Sequence, residues 1–169
     1  MNALLGADIL AAIKASGIEF VISLPDIVTS EGLLWPLSRD PDIRHIRVCK
    51  EDEGVAICAG LSFCDRRGLL MMQSTGMYDS VNAIRAIAVQ YELPICMLVG
   101  LQGAEADEDP RDSAHHIVRL AQPVLDTLGV EHHLLQHRDD VAKIKPAIDR
   151  AYAEFHPVAL LVGATLSAP

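Results

Sequence analysis

Three consecutive carboxylates, Glu51, Asp52 and Glu53, stand between Lys50 and a run without charge, Gly54 to Leu61. Arg44 to Cys49 reads as a strand and residues 52–65 as a helix, so the carboxylates sit where the helix starts. There the helix dipole favours an anion, while burial on most sides of an uncharged helix favours the neutral acid. A carboxyl group held between those influences is able to keep or release a proton. The same residues are also ordinary helix-start chemistry, in which acidic side chains complement free backbone N–H groups. Spacing alone favours that second reading for Glu51.

Other chemistry is narrower. Ser74 is a conceivable nucleophile, but no G-x-S-x-G elbow surrounds it. There is no phosphate-binding glycine loop of the Walker or G-x-G-x-x-G kind, and no cluster with metal-ligand spacing. Cys49, Cys58, Cys64 and Cys96 form no C-x-x-C pair and read as reduced thiols, mostly in the core. His132-His133 reads as a surface pair, and the residues alone allow the same for His115-His116.

The elements that position these residues follow from periodicity and punctuation. Residues 3–16 repeat apolar positions at helical spacing and stop at Ser16-Gly17. Residues 20–24 form a short apolar strand, and residues 29–38 a helix capped by Thr29 or Ser30 and interrupted by Pro36. After the strand at 44–49 and the helix at 52–65, Arg66-Arg67-Gly68 turns into a strand at 69–73. Ser74 to Met77 leads into a helix over 79–91, and Pro94 to Gly100 is the most apolar strand. Gly103 to Ser113, with five carboxylates, reads as a mobile loop. Helical patterns at 117–128 and 138–154, broken or kinked by Pro123 and Pro146, flank a segment at 130–135, and a strand at 158–162 follows.

Repeated strand–helix units in 169 residues specify one α/β domain over 1–169: an open, mostly parallel sheet with helices on both faces. Half the residues are hydrophobic but only 4% aromatic, which suits a sheet packed by Ala, Val, Ile and Leu. A formal charge of −9 argues against nucleic acid or an anionic membrane as partner. No apolar run reaches the length of a membrane span, and the start lacks a basic leader, so a cytoplasmic protein is expected. In such folds ligands bind beyond the carboxyl ends of strands. Leu24-Pro25-Asp26, Lys50-Glu51 and Gln73-Ser74-Thr75-Gly76 all fall there, which raises the functional reading of Glu51.

Lys50-Glu51 to Ala59-Gly60, Met72-Gln73-Ser74-Thr75-Gly76 to Ile84, and Tyr91-Glu92-Leu93-Pro94-Ile95 occur in that order. Together they resemble the pyrimidine-binding domain of thiamine-diphosphate-dependent decarboxylases, nearest the sulfopyruvate decarboxylase alpha-subunit and phosphonopyruvate decarboxylase families. The resemblance runs from the Pro25-Asp26 loop to Leu128-Gly129. It implies that Glu51, nine residues before Gly60, hydrogen-bonds N1′ of the cofactor's aminopyrimidine. It further implies that Pro25, Ser74, Thr75 and Gly76 contact that ring, and that a small 2-oxo acid loses carbon dioxide to give an aldehyde. His115 and His116 match an acid–base pair of related decarboxylases, and Asp26 is a further candidate.

Members of the family hold the diphosphate and Mg²⁺ through a Gly-Asp-Gly motif on a separate domain, which this sequence lacks. A diphosphate-binding beta subunit, in a hetero-oligomer, is therefore the expected partner, and Mg²⁺ is expected on that subunit. Gln102-Gly103 stands where such members often carry Arg-Gly, which leaves other 2-oxo acids open, with Arg47, Lys50 or Arg111 as substitute cations. A noncatalytic subunit, an acetolactate-type ligase and a flavodoxin-like binding module with a different strand order are the remaining readings.

Overall fold

A computed structural model describes residues 3–166. Phe20–Ser23 (β1), Arg44–Arg47 (β2), Gly68–Gln73 (β3), Cys96–Gly100 (β4), Glu131–Leu135 (β5) and Val158–Val162 (β6) form one sheet, ordered β2-β1-β3-β4-β6-β5. Every neighbouring pair is parallel. Parallel neighbours need crossover connections, and the crossovers lay helices on both faces, as the alternating pattern implied. The order agrees with a flavodoxin-like sheet through β2-β1-β3-β4 and departs from it where β6 enters between β4 and β5.

Strand alternation divides the interior into two cores. Val21, Leu69, Met71, Leu98 and Leu160 face one side, against Ile9 and Ile13 of Gly6–Ala15 (α1) and Ile144 and Ile148 of Ile144–Glu154 (α8). Ile22, Leu70, Met72, Met97 and Leu161 face the other, against Val55 and Cys58 of Glu51–Phe63 (α3), Ile84, and Leu125 of Ala121–Leu128 (α7). The central strands are buried on both faces, which is why β3 and β4 are near-continuous apolar runs.

Several boundaries differ from the sequence expectation, each for a local reason. Neither Thr29 nor Ser30 caps the second helical segment with its side chain. Asp26 does so: its carboxylate accepts the N–H groups of Val28 at 2.7 Å and Thr29 at 2.8 Å, and the Thr29 hydroxyl. The wide turn Ser30–Leu34 then passes into Trp35–Leu37 (α2) at Pro36. The helix expected over 79–91 opens earlier, as Ser74–Asp79 (α4), and continues through Val81–Ala83 (α5) and the wide turn Ile84–Val89. In a continuous helix Pro123 would clash with the carbonyl four residues back, on Arg119, and there His116–Arg119 (α6) ends, with Leu120 between it and α7. In the same way Pro146 follows the tight turn Arg138–Lys143 that precedes α8.

The expected burial of α3 on most sides is also corrected. Gly54, Val55, Cys58 and Ala59 are buried, but Ala56, Gly60 and Phe63 are exposed, so one apolar face of this helix lies open. Of the thiols, Cys58 and Cys96 are buried and Cys49 and Cys64 exposed. Burial pushes the Cys58 thiol up to about 12, so it stays protonated and inert.

Close packing makes two glycines unequal. A Cβ on Gly6 would lie 1.8 Å from the carbonyl oxygen of Gly32, whereas one on Gly60 would meet nothing within 4 Å. In urea unfolding of the chain, Gly6→Ala is expected to cost about 2–3 kcal/mol or more, because backbone must move. Gly60→Ala is expected to add about 0.5–1 kcal/mol, by removing unfolded-state freedom.

At the amino end of β5, Glu131 accepts hydrogen bonds from His133 at 2.6 Å, from His156 at 2.9 Å and from Arg150. Burial alone would raise its pKa, but the bonds from Arg150, His133 and His156 outweigh it and bring the carboxyl down to about 2 from 4.5. A carboxyl depressed by folding stabilises the native state above its unfolded pKa and loses that contribution as protons return. Stability should therefore fall as pH drops from 4.5 towards 2, and Glu131→Gln should flatten that limb of a stability–pH profile.

Candidate active site

The strand order reverses direction between β1 and β3, so the chains leaving them turn to opposite faces of the sheet, where folds of this kind form a ligand crevice. Chain leaving β1 carries Pro25 and Asp26, chain leaving β2 carries Lys50 and Glu51, and chain leaving β3 carries Ser74 to Gly76. These are the three loops that sequence reading brought together.

The three acidic residues at the start of α3 divide their work. Glu53 reaches back to the N–H of Cys49 at 2.9 Å and of Lys50 at 3.4 Å, with Lys50 in an extended conformation ahead of the helix. Asp52 accepts the N–H of Glu53 at 3.0 Å. Helix-start chemistry thus falls to Glu53 and Asp52. Glu51 takes no part in it: its carboxylate has no hydrogen bond or ion pair among the described residues. Instead its side chain lies against the first turn of α4. A Cβ on Gly76 would sit 2.2 Å from Oε1 and 2.3 Å from Cδ of Glu51, so only glycine admits the carboxylate there.

Around this contact the other expected residues take distinct positions. Ser74 opens α4, is fully buried, and its hydroxyl has no hydrogen-bond partner among the described residues. Thr75 is exposed and accepts the Gln73 amide at 3.2 Å, while the same amide reaches Gln102 beyond β4. Pro25 is exposed. Asp26 is only 8% exposed, and its oxygens are committed to the turn that starts at Val28, so it serves as a cap. A Cβ on Gly100 would lie 3.2 Å from that carboxylate and 2.8 Å from Val28, which brings the Pro25 loop over the end of β4.

His115 and His116 are both exposed. His115 stacks over Gly103, whose φ of +86° suits glycine and whose added Cβ would be 3.5 Å from the ring. It therefore stands beside Gln102 on the rim, whereas His116 starts α6. His132 and His133 belong to β5, and His133 is tied to Glu131. Of the substitute cations, Arg111 is spent on Gln122 at 2.5 Å and Asp126 at 2.9 Å. Arg47 and Lys50 are exposed at the end of β2 and ahead of α3.

No family model matches the chain. It is 31% identical over 157 residues to sulfopyruvate decarboxylase subunit alpha of Methanococcus maripaludis, covering 90% of both chains. The chain belongs to the sulfopyruvate decarboxylase alpha-subunit family. The subunit alpha of Methanothermobacter thermautotrophicus is 33% identical over 97 residues, covering 57% of this chain and 58% of that one. That of Methanocaldococcus jannaschii is 27% identical over 154 residues, covering 90% and 89%. Among solved structures, benzoylformate decarboxylase from Polynucleobacter necessarius matches 95% of this chain with a TM-score of 0.69 at 16% identity. This chain spans 30% of that larger one, and the likeness is one of fold.

One contact in this alpha-subunit-family chain was not readable from its sequence. The Tyr78 hydroxyl, two residues beyond Gly76, donates to the carbonyl of Ile117 in α6. Burial pushes its phenol up to about 12, so it remains a donor near neutrality. Arg119 holds the same segment by donating to the Ser113 carbonyl at 2.6 Å, and the His115 N–H donates to the Ser113 hydroxyl at 3.2 Å. Tyr78 therefore ties the helix under Glu51 to the segment carrying His115 and His116. An aromatic residue at that spacing gave no signal beyond core packing. Tyr78→Phe should speed amide exchange across 113–119 by about fivefold to tenfold, the equivalent of one lost hydrogen bond, and leave α8 unchanged by mass spectrometry.

Proposed function

We propose that this chain is the pyrimidine-binding subunit of a thiamine-diphosphate-dependent decarboxylase that releases carbon dioxide from sulfopyruvate and leaves an aldehyde. The observation that carries the reading is the free Glu51 carboxylate seated on Gly76. The residues fit the cofactor's aminopyrimidine: an acid without a partner on one side, and a wall without a Cβ beside it. When bound, thiamine diphosphate supplies the carbon nucleophile and the electron sink needed for loss of carbon dioxide.

The chain's own residues bind, orient and move protons. Glu51 hydrogen-bonds the pyrimidine N1′ and exchanges a proton with it, a role open to it because Glu53 and Asp52 have taken over the helix start. Thr75 and Pro25, both exposed at the crevice, flank the ring. Ser74, buried where α4 begins, keeps a hydroxyl without a partner among the described residues, next to the turn that presents Gly76. His115, with His116 next to it, delivers a proton to the carbon from which carbon dioxide has left.

The diphosphate and Mg²⁺ fall to a partner subunit in a hetero-oligomer. Two findings support that division. Relatives matched over nine tenths of their length are named as subunits. The bare apolar face of α3, with Ala56, Gly60 and Phe63, lies on the helix that begins at Glu51.

The test is carbon dioxide release by this chain co-purified with its partner, supplied with sulfopyruvate, phosphonopyruvate and pyruvate. Sulfopyruvate should be the preferred substrate and the chain alone should be inactive. Glu51→Gln should lower turnover by about 10²–10⁴, the range for a positioned proton-transfer group. Gly76→Ala, which displaces the same carboxylate, should cause a loss of the same order with the fold intact. Full activity of Glu51→Gln in the complex would instead make this a noncatalytic subunit.

A further inference from the structure

The turn that carries His115 and His116 fixes its own shape from within. Arg119 donates to the carbonyls of Ser113 at 2.6 Å and Ala114 at 3.3 Å, and the His115 N–H donates to the Ser113 hydroxyl at 3.2 Å. The N–H groups of Val118 and Arg119 return to the His115 carbonyl, both at 3.0 Å. None of these bonds sets the orientation of the turn on the sheet. Among the described residues, one hydrogen bond joins 113–119 to any residue before Pro110: the Tyr78 hydroxyl donates to the carbonyl of Ile117. That carbonyl lies in the last turn of α6, where helix carbonyls are left for outside donors.

Tyr78 stands two residues beyond Gly76 on α4. The short helix whose first turn seats the Glu51 carboxylate therefore also holds the histidine segment. Ala121 and Leu125, just beyond α6, are buried in the same core as Met77, and the Tyr78 ring packs against that core too. Such packing keeps the segment against the sheet without giving it a direction, whereas a hydrogen bond is directional. The imidazole of His115 makes no hydrogen bond among the described residues and rests on Gly103. Its place is set by the backbone that carries it, and the Tyr78 hydroxyl ties that backbone to the helix under Glu51.

We infer that Tyr78 is a positioning residue, which sets the His115 imidazole against the Glu51 carboxylate so that both act on one bound molecule. The inference rests on the decarboxylase reading. It adds the contact that keeps two proton-handling groups, from segments far apart in sequence, in one fixed relation. Proton transfer is steeply sensitive to such placement: a displacement of about 1 Å can cost about a hundredfold in rate.

The test compares Tyr78→Phe with Tyr152→Phe in the complex of this chain and its partner. Both variants keep the ring and lose a hydroxyl bonded to backbone, but Tyr152 accepts the Gly68 N–H at 2.8 Å, at the amino end of β3. Tyr78→Phe should lower kcat about fivefold to twentyfold and leave KM within about twofold. The solvent deuterium isotope effect on kcat should rise, because proton delivery becomes slower. Independently of turnover, carbethoxylation of His115 by diethyl pyrocarbonate, read by mass spectrometry, should quicken at least about threefold relative to the other histidines. Tyr152→Phe should lower the unfolding midpoint and change none of these.

An unchanged kcat or unchanged His115 labelling in Tyr78→Phe, or the same changes in Tyr152→Phe, would overturn the inference. Full turnover in His115→Ala would overturn it as well, by removing the group that Tyr78 positions. Absence of carbon dioxide release from the unmutated complex would overturn the decarboxylase reading instead, and the labelling would still decide whether Tyr78 sets the place of His115.

Discussion

The seat of Glu51 on Gly76 is the contact to which the rest of the crevice is fitted. It joins two elements far apart in sequence, the first residue of α3 and the first turn of α4, at a separation that no side chain at position 76 would allow. Such an approach requires α3 to be pressed into the sheet, and a second glycine lets it. A Cβ on Gly54 would lie 2.4 Å from Leu70 and 3.2 Å from Ile22, the residues of β3 and β1 on which α3 rests. The two glycines act together, one bringing the helix down and the other leaving room for its acid. The fold thus spends backbone freedom at these positions to hold a carboxylate without giving it a protein partner.

Parallel order supplies the direction of that approach. Because all six strands run the same way, every loop with chemistry-bearing residues emerges at one end of the sheet. The reversal of order between β1 and β3 then turns two of those loops to opposite faces of the sheet, where folds of this kind form a ligand crevice. Asp26 contributes to this from beneath. By capping the turn after β1 it fixes the Pro25 loop over Gly100, where a side chain would collide with Val28. The same carboxylate, a candidate for chemistry from sequence, holds the wall in place.

The fold was legible because its central strands β3, β4 and β6 are short, apolar and buried on both faces. Leu69 to Met72 and Cys96 to Val99 announce themselves without any knowledge of partners. Tertiary contacts hid what the sequence did not show. Ser74 to Gly76 looks like a lead-in because glycine weakens a helix, yet it is the helix's first turn, since the contact with Glu51 needs both the helical geometry and the missing Cβ. Glu51 could not be separated from Asp52 and Glu53 by spacing, because all three suit a helix start. Only the hydrogen bonds of Glu53 and Asp52 assign that task away from it. The uncharged run after Gly54 suggested burial on most sides, but absence of charge does not distinguish packing within the chain from a face left for another.

That open face bears on the crevice itself. Ala56, Gly60 and Phe63 recur along α3 at helical spacing, and the same helix begins with Glu51. A subunit that covers this apolar face gains from its burial and approaches the acid end of the helix in the same movement. The acid seated on Gly76 and the open apolar face therefore belong to one helix, so a partner that covered the face would also lie close to the acid.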